Sequence, residues 1–219
     1  KYDMNKYKKI VSIAATAVMC VAPMSVYAQE AQTDVIEAVA EKKQDTESSS
    51  VPVLQKEGIE ISEGTGYDLS KEPGAATVKA LEQGTIVISY KTTSENAIQS
   101  LLSVGNGTKG NQDRHFHLYI TNAGGVGMEL RNTDGEFKYT LDCPAAVRGS
   151  YKGERVSNTV ALKADKENKQ YKLFANGELI ATLDQEAFKF ISDITGVDNV
   201  MLGGTMRQGT VAYPFGGSI

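Results

Sequence analysis

Glu129-Leu130-Arg131 closes an alternating run, Val126-Gly127-Met128-Glu129-Leu130-Arg131. A β-strand sends successive side chains to opposite faces. Val126, Met128 and Leu130 then point into a core, and Gly127, Glu129 and Arg131 share the other face. Arginine offers a planar fork matched to a carboxylate, and glutamate offers acceptors for hydroxyl or amide donors. Beside a glycine that leaves room, the pair would make a small polar recognition site. The same spacing also fits an exposed ion pair that contributes little. Taken alone, it favours that plainer alternative.

Other groups could join the pair. In the alternating run from His115 to Thr121, Phe116, Leu118 and Ile120 face inward and His117 and Tyr119 face outward. Arg207 follows Gly203-Gly204-Thr205-Met206 at the end of another strand, and Tyr213 comes shortly after, between loop and strand. Two arginines, a glutamate and two tyrosines would suit a sugar acid, provided their strands are neighbours.

Catalytic patterns are scarce. A sandwich glycosidase needs two carboxylates flanking the bond it cleaves. No Glu-x-Asp-x-x-Glu run occurs, and Glu129 is the one carboxylate on a site-like face. No Gly-x-Ser-x-Gly elbow is present. His115 and His117 have the i, i+2 spacing of two metal ligands, but no third ligand is obvious nearby. They read as surface histidines, and no metal or cofactor is expected.

The elements that must carry these residues are short strands. Ile59 and Ile61 alternate, as do Ile86, Ile88 and Tyr90. Leu101–Val104 is an apolar run stopped by Gly105-Asn106-Gly107; Asn106-Gly107-Thr108 is a turn or a glycosylation sequon. Asn132-Thr133-Asp134-Gly135 reads as a hairpin turn, and Thr159–Lys163 as a strand. Tyr171–Thr182 reads as a hairpin with a type I′ turn at Asn176-Gly177. Val200–Met206 alternates, and Asp184–Ile191 could form one short helix capped by Asp184. Gly217-Ser218-Ile219 looks like the opening of a further strand. Short strands with regular turns indicate an all-β sandwich or barrel. Roughly 165 residues suffice for a substantial core.

The first residues read as a secretion leader, 1–28. Lys6, Lys8 and Lys9 precede an apolar run from Ile10 to Val26, and Val26-Tyr27-Ala28 offers a cleavage site before Gln29. Lys1-Tyr2-Asp3 ahead of Met4 look like upstream translation. Residues 29–52 are polar and Ser/Gln-rich, a disordered linker ahead of a sandwich over 53–219. A secreted, extracellular or cell-surface protein without membrane insertion follows. Losing Lys1, Lys6, Lys8, Lys9 and Asp3 from 23 Lys+Arg and 27 Asp+Glu moves the net charge from −4 to −7. That gives a nucleic-acid partner no support, so none is expected, and obliges any acidic ligand to rely on local arginines. Cys143 would then be the sole cysteine of the mature chain, which excludes a disulfide framework.

Several of these segments fall in a familiar order: Gly84–Lys91, Gln99–Val104, Met128–Arg131, Tyr171–Leu179 and Val200–Thr205. Together with Arg207 they resemble the sialidase N-terminal lectin-like module, carbohydrate-binding module family 40, over about Val53 to Ile219. The resemblance implies a concanavalin-like jelly-roll sandwich, here lacking its last strand. It implies binding to the terminal sialic acid of glycans and glycoproteins such as mucins. Arg131 and Arg207 would hold the sialic acid carboxylate, and Glu129 would receive polar groups of the sugar. Tyr119 and Tyr213 would line the site, and Ile98 would meet the N-acetyl methyl. No residue would be catalytic, and a monomer is expected.

The module usually precedes a sialidase propeller, but no Arg-Ile-Pro motif and no Asp-box occur here. The chain should therefore bind without cleaving, and target a downstream exo-sialidase of hydrolytic or trans-sialidase type. A shallow site of this kind implies a dissociation constant of roughly 0.1–1 mM. The rival reading is a protein-binding adhesion sandwich, which would show a large apolar patch.

Overall fold

The protein is represented by a computed structural model that describes the strand Ile10–Ile13 and residues 52–94, 98–108, 110, 113–132, 136–143 and 157–219. A separate unit, Thr16–Ser50, lies outside the described residues, and with it most of the expected leader and linker.

The described residues are almost entirely β. In chain order the strands are β1 (Ile10–Ile13), β2 (Glu60–Ile61), β3 (Tyr67–Asp68), β4 (Gly84–Thr92), β5 (Gln99–Gly105), β6 (His115–Ile120), β7 (Val126–Asn132) and β8 (Phe137–Cys143). There follow β9 (Asn158–Asp165), β10 (Gln170–Ala175), β11 (Glu178–Asp184), β12 (Asn199–Leu202), β13 (Thr205–Arg207), β14 (Thr210–Ala212) and β15 (Gly217–Ser218). One sheet runs β11-β10-β9-β4-β15-β2, with β1 also on β4; a second runs β3-β12-β5-β6-β7-β8; β13 and β14 form a separate pair. This is an all-β jelly-roll sandwich. The anticipated strand at Gly217-Ser218 exists and pairs antiparallel with both β2 and β4.

Period-two burial explains why these segments are strands. In β4, Ile86, Ile88 and Tyr90 are buried, and their neighbours are less so. They join one core with Leu102, Val104, Phe116, Leu118, Met128 and Leu130 of the other sheet. Aromatic contacts tie the layers: Phe116 meets Phe190 edge-on at 5.7 Å, and Tyr139 lies 6.2 Å from Tyr171.

The Asn176-Gly177 turn holds as expected. Asn176 has φ 50° and Gly177 φ 88°, the left-handed pair that a type I′ hairpin requires. Strands β7 and β8 pair as a hairpin in register from Val126↔Cys143 to Asn132↔Phe137. The rest of the expected turn, residues 133–135, lies outside the described residues.

Two expectations need correction, and one element was not foreseen. The Asp184–Ile191 stretch is not a helix. Asp184 ends β11 and accepts a hydrogen bond from Gln170 Nε2 at 2.6 Å, so it is not available as a cap. Phe188 stacks on Tyr171 while Phe190 packs into the core, an i, i+2 pattern that belongs to extended chain. The helical content there is a single 3-10 turn, Ile191–Asp193. The Val200–Met206 run is two strands rather than one, split at Gly203-Gly204. Gly203 has φ 68°, and a Cβ there would lie 2.6 Å from Ile61 Cδ1. A short helix, α1 (Ala75–Lys79), buries Ala75 and Val78 and was not anticipated.

Strand β1 lies parallel to β4, from Ile10↔Thr85 to Ile13↔Ile88. These four residues belong to the stretch whose composition reads as a leader. Cleavage after Ala28 would uncover that edge of β4. Among the described residues no helix is long and apolar enough to cross a membrane, and Cys143 is a free thiol.

Candidate functional site

The outer face of the second sheet is built in rows by strand register. One row is Ser103–His117–Glu129–Thr140, the next is Gly105–His115–Arg131–Lys138, and a third is Ser100–Tyr119–Gly127–Asp142. The alternation that sends Phe116, Leu118 and Ile120 into the core therefore sets His115, His117 and Tyr119 beside Glu129, Arg131 and Gly127.

This face is not open, which corrects the reading of His115 and His117 as surface residues. They are 2% and 4% exposed, and Tyr119 is also buried. The segment from β13 to Tyr213 covers them. Thr205 Oγ1 lies 3.4 Å from His117 Nδ1 and donates to Ser100 Oγ at 3.0 Å. The His117 ring sits between aromatic neighbours, 4.4 Å from Tyr119 and 5.4 Å from Tyr213. What alternation exposes in an isolated strand, a second layer of chain can bury again.

Glu129 is the centre of a charged network. His115 Nε2 lies 3.0 Å from Glu129 Oε1, Arg131 Nη1 3.5 Å from the same oxygen, and Lys138 Nζ 3.6 Å from Oε2. Burial alone would push the carboxyl up. The His115 hydrogen bond and the charges of His115, His117 and Arg131 outweigh burial and hold the Glu129 pKa down at about 2. Glu129 is thus an acceptor only, so His115 Nε2 carries the proton they share. His117 is held at about 3, chiefly by burial and then by His115, with Glu129 opposing. It is a neutral ring at physiological pH.

The arginines converge on one atom. Arg131 Nη2 lies 3.0 Å, and Arg207 Nη2 3.4 Å, from Asp113 Oδ1. Arg207 Nη1 also donates to the Tyr213 hydroxyl at 2.7 Å. Tyr213 adopts φ 53°, a left-handed conformation rare for a bulky residue. Its carbonyl accepts from Ser100 N–H at 2.9 Å, which fixes the ring over His117. No residue pattern around Tyr213 signals this strain. The β13–β14 turn, Gln208-Gly209, is also left-handed at both positions (φ 53° and 79°) and sets Arg207 at the hairpin end.

Five of the six expected site residues are thereby linked, Glu129 to Arg131 and Arg207 to Tyr213 directly, and these pairs and Tyr119 to one another through Asp113 and His117. Tyr119 packs against His117 at a tilt of 30° and donates its hydroxyl to Asp142. Burial, then Asp142, pushes that hydroxyl pKa up, so it stays protonated. Gly127 makes the arrangement possible: a Cβ there would lie 2.1 Å from Asp142 Oδ1 and 2.7 Å from Tyr119 Cζ. Ile98 is partly exposed just before β5, two residues from Ser100.

Sequence reading passed over Asp113, Asp142 and Lys138. Pairing β7 with β8 through the Asn132–Gly135 turn would have put Asp142 opposite Gly127 and Lys138 opposite Arg131. Asp113 stands in a glycine-rich loop before β6, where no periodicity marks it. The third ligand missing beside the two histidines is also present: donor atoms of His115, His117 and Glu129 lie within 4.8 Å of one another. Such a set could take a transition metal. Arg131 and Lys138 already place positive charge on that glutamate, which weighs against a cation.

The fold and this arginine-bearing, aromatic-lined site define a β-sandwich binding module rather than a hydrolase domain. The chain belongs to the sialidase N-terminal domain family, whose model matches residues 36–219. It is 64% identical over 209 residues to an anhydrosialidase of Macrobdella decora, covering 93% of this chain and 27% of that protein. It is 30% identical over 138 residues to sialidase B of Streptococcus pneumoniae, covering 63% of this chain and 20% of that protein. The chain thus spans only about a quarter of the length of these curated relatives. Among solved structures, a Ruminococcus gnavus IT-sialidase CBM40 superposes with a TM-score of 0.73 at 97% identity, over 76% of this chain and 88% of that one. The same comparison holds for that module bound to α2,3-sialyllactose.

Proposed function

We propose that the chain is a lectin-like module that binds the terminal sialic acid of glycans, glycoproteins such as mucins included. Arg131 and Arg207 take the sugar carboxylate, Glu129 accepts from its N–H or O–H groups, Tyr119 and Tyr213 form the floor, and Ile98 meets the N-acetyl methyl. The observation that carries this is the convergence of both arginines on a single carboxylate oxygen, at 3.0 and 3.4 Å. A site that already gathers two guanidiniums around one carboxylate is preorganised for an acid ligand and selects against neutral sugars. The sialyllactose complex of the 97%-identical module supports the same reading.

In the whole protein, the module would hold a downstream exo-sialidase domain, hydrolytic or trans-sialidase, against sialylated surfaces outside the cell. Tethering raises effective concentration even when each contact is weak. Acid/base cleavage by the module itself is disfavoured, because it needs a protonated carboxylic acid and Glu129 is held ionised by His115. The adhesion alternative needs an apolar patch, and among the described residues Leu179 is the exposed large hydrophobic.

The test is calorimetric titration of the wild type, Arg131→Ala and Arg207→Ala with 3′-sialyllactose and with lactose. Saturable binding of the sialylated sugar alone, lost in both variants while they remain folded, is the expected outcome. Retained binding in folded Arg131→Ala would overturn the site assignment. The loss would come from the missing counter-charge and not from stranding Glu129, which keeps His115 and Lys138 as partners.

A further inference from the structure

Asp113 is a carboxylate where the proposed ligand needs to put one. Its Oδ1 engages Nη2 of Arg131 and Nη2 of Arg207 together. The Nη1 groups of the same two guanidiniums face Glu129 Oε1 at 3.5 Å and the Tyr213 hydroxyl at 2.7 Å. The terminal nitrogens of both arginines are therefore directed at internal acceptors. A ligand carboxylate seeking paired N–H donors must draw on the atoms that Asp113 uses. Asp113 is also about one-third exposed, at 35%, against 17% for Glu129, so it stands toward the solvent entrance of the network.

Resting on the reading of the site as a sialic acid binder, we infer that Asp113 is an internal stand-in for the ligand carboxylate. It relieves the repulsion between two neighbouring guanidiniums in the empty site and keeps them convergent. A sialoside must then either displace Asp113 or bind beside its negative charge, and either outcome lowers affinity. Asp113 is thus the residue that sets affinity for acid ligands, holding the module weak enough for repeated release along a sialylated surface.

The experiment is calorimetric titration of wild type, Asp113→Asn and Asp113→Ser with 3′-sialyllactose, with thermal unfolding to confirm the fold. Asn keeps an acceptor oxygen for the arginines and removes the charge; Ser removes the charge, shortens the side chain so that its hydroxyl is drawn back from the guanidiniums, and guards against an effect peculiar to the amide. Loss of one partly exposed negative charge beside a ligand carboxylate should tighten binding about 3- to 10-fold. Unchanged or weaker binding in the folded variants, alongside a wild type that binds, would overturn the stand-in role and leave the sialic acid reading intact. A folded wild type that binds no sialoside would overturn both.

Discussion

His115 hydrogen-bonds to Glu129 across the sheet, although the register pairs His115 with Arg131 and Glu129 with His117. The bond is diagonal, and it leaves His117 as a neutral ring packed beneath Tyr213. One histidine holds a charge in place and the other supports the aromatic floor.

The two groups lose stability to acid in different windows. Glu129 has its pKa lowered from 4.5 to about 2, so its stabilisation is complete above 4.5 and is lost as pH falls through 2. His117 is lowered from 6.5 to about 3: the unfolded chain takes up its proton below 6.5 while the folded one resists, so acidification again destabilises. His117→Phe, which keeps a ring between Tyr119 and Tyr213, should flatten the stability profile between pH 6.5 and 3. Glu129→Gln should flatten it only below 4.5. Urea denaturation across pH separates them, and a His117→Phe profile parallel to wild type above pH 4.5 would contradict the assignment.

Gly127→Ala is expected to damage the site from beneath. The added methyl would meet Asp142 Oδ1 and the Tyr119 ring. The aspartate can swing away only by giving up the Tyr119 hydroxyl, and the ring is packed on His117. A destabilisation of about 1–3 kcal/mol, typical of overpacking, should accompany weakened sialoside binding. Wild-type binding and stability in Gly127→Ala would show that the space has no role.

Much of this was legible in the residues, for a physical reason. Alternation along β6 and β7 separates a core face from a chemical face whatever covers the latter. Glu129, Arg131 and Tyr119 could thus be placed together once their strands were taken as neighbours. Coverage was not legible. Nothing local in His115-Phe116-His117 says that the β13–β14 hairpin and Tyr213 fold over them, because that contact joins residues some 90 positions apart. Asp113 was hidden for a related reason: a loop carboxylate acquires a role only through the two distant arginines that it meets.

Tyr213→Phe isolates the hydroxyl that orients Arg207. Removing it leaves the ring on His117 and deletes the 2.7 Å bond to Arg207 Nη1. Affinity for 3′-sialyllactose should fall about 3- to 10-fold, the size of one ordinary hydrogen bond of about 1 kcal/mol, because the hydroxyl acts on the ligand only through Arg207, with little change in melting temperature. Calorimetry and thermal unfolding together check this, and unchanged affinity would mean that Asp113 alone suffices to hold Arg207.

Asn176→Ala supplies the converse, a stability defect with no binding defect. Asn176 adopts φ 50° in the β10–β11 turn, accepts from Thr159 N–H at 2.9 Å and donates to Asn158 Oδ1 at 2.8 Å. Alanine must hold the left-handed conformation at a cost of about 1–2 kcal/mol, and it also loses both side-chain bonds. Asn176→Gly restores the backbone freedom without the bonds, and should recover part of the loss. The hairpin lies in the sheet opposite the site, so sialoside affinity of the folded fraction should match wild type in both variants. Urea denaturation ranks the stabilities as wild type, then Gly, then Ala. Weaker binding by folded Asn176→Ala would mean that the two sheets are energetically coupled across the core.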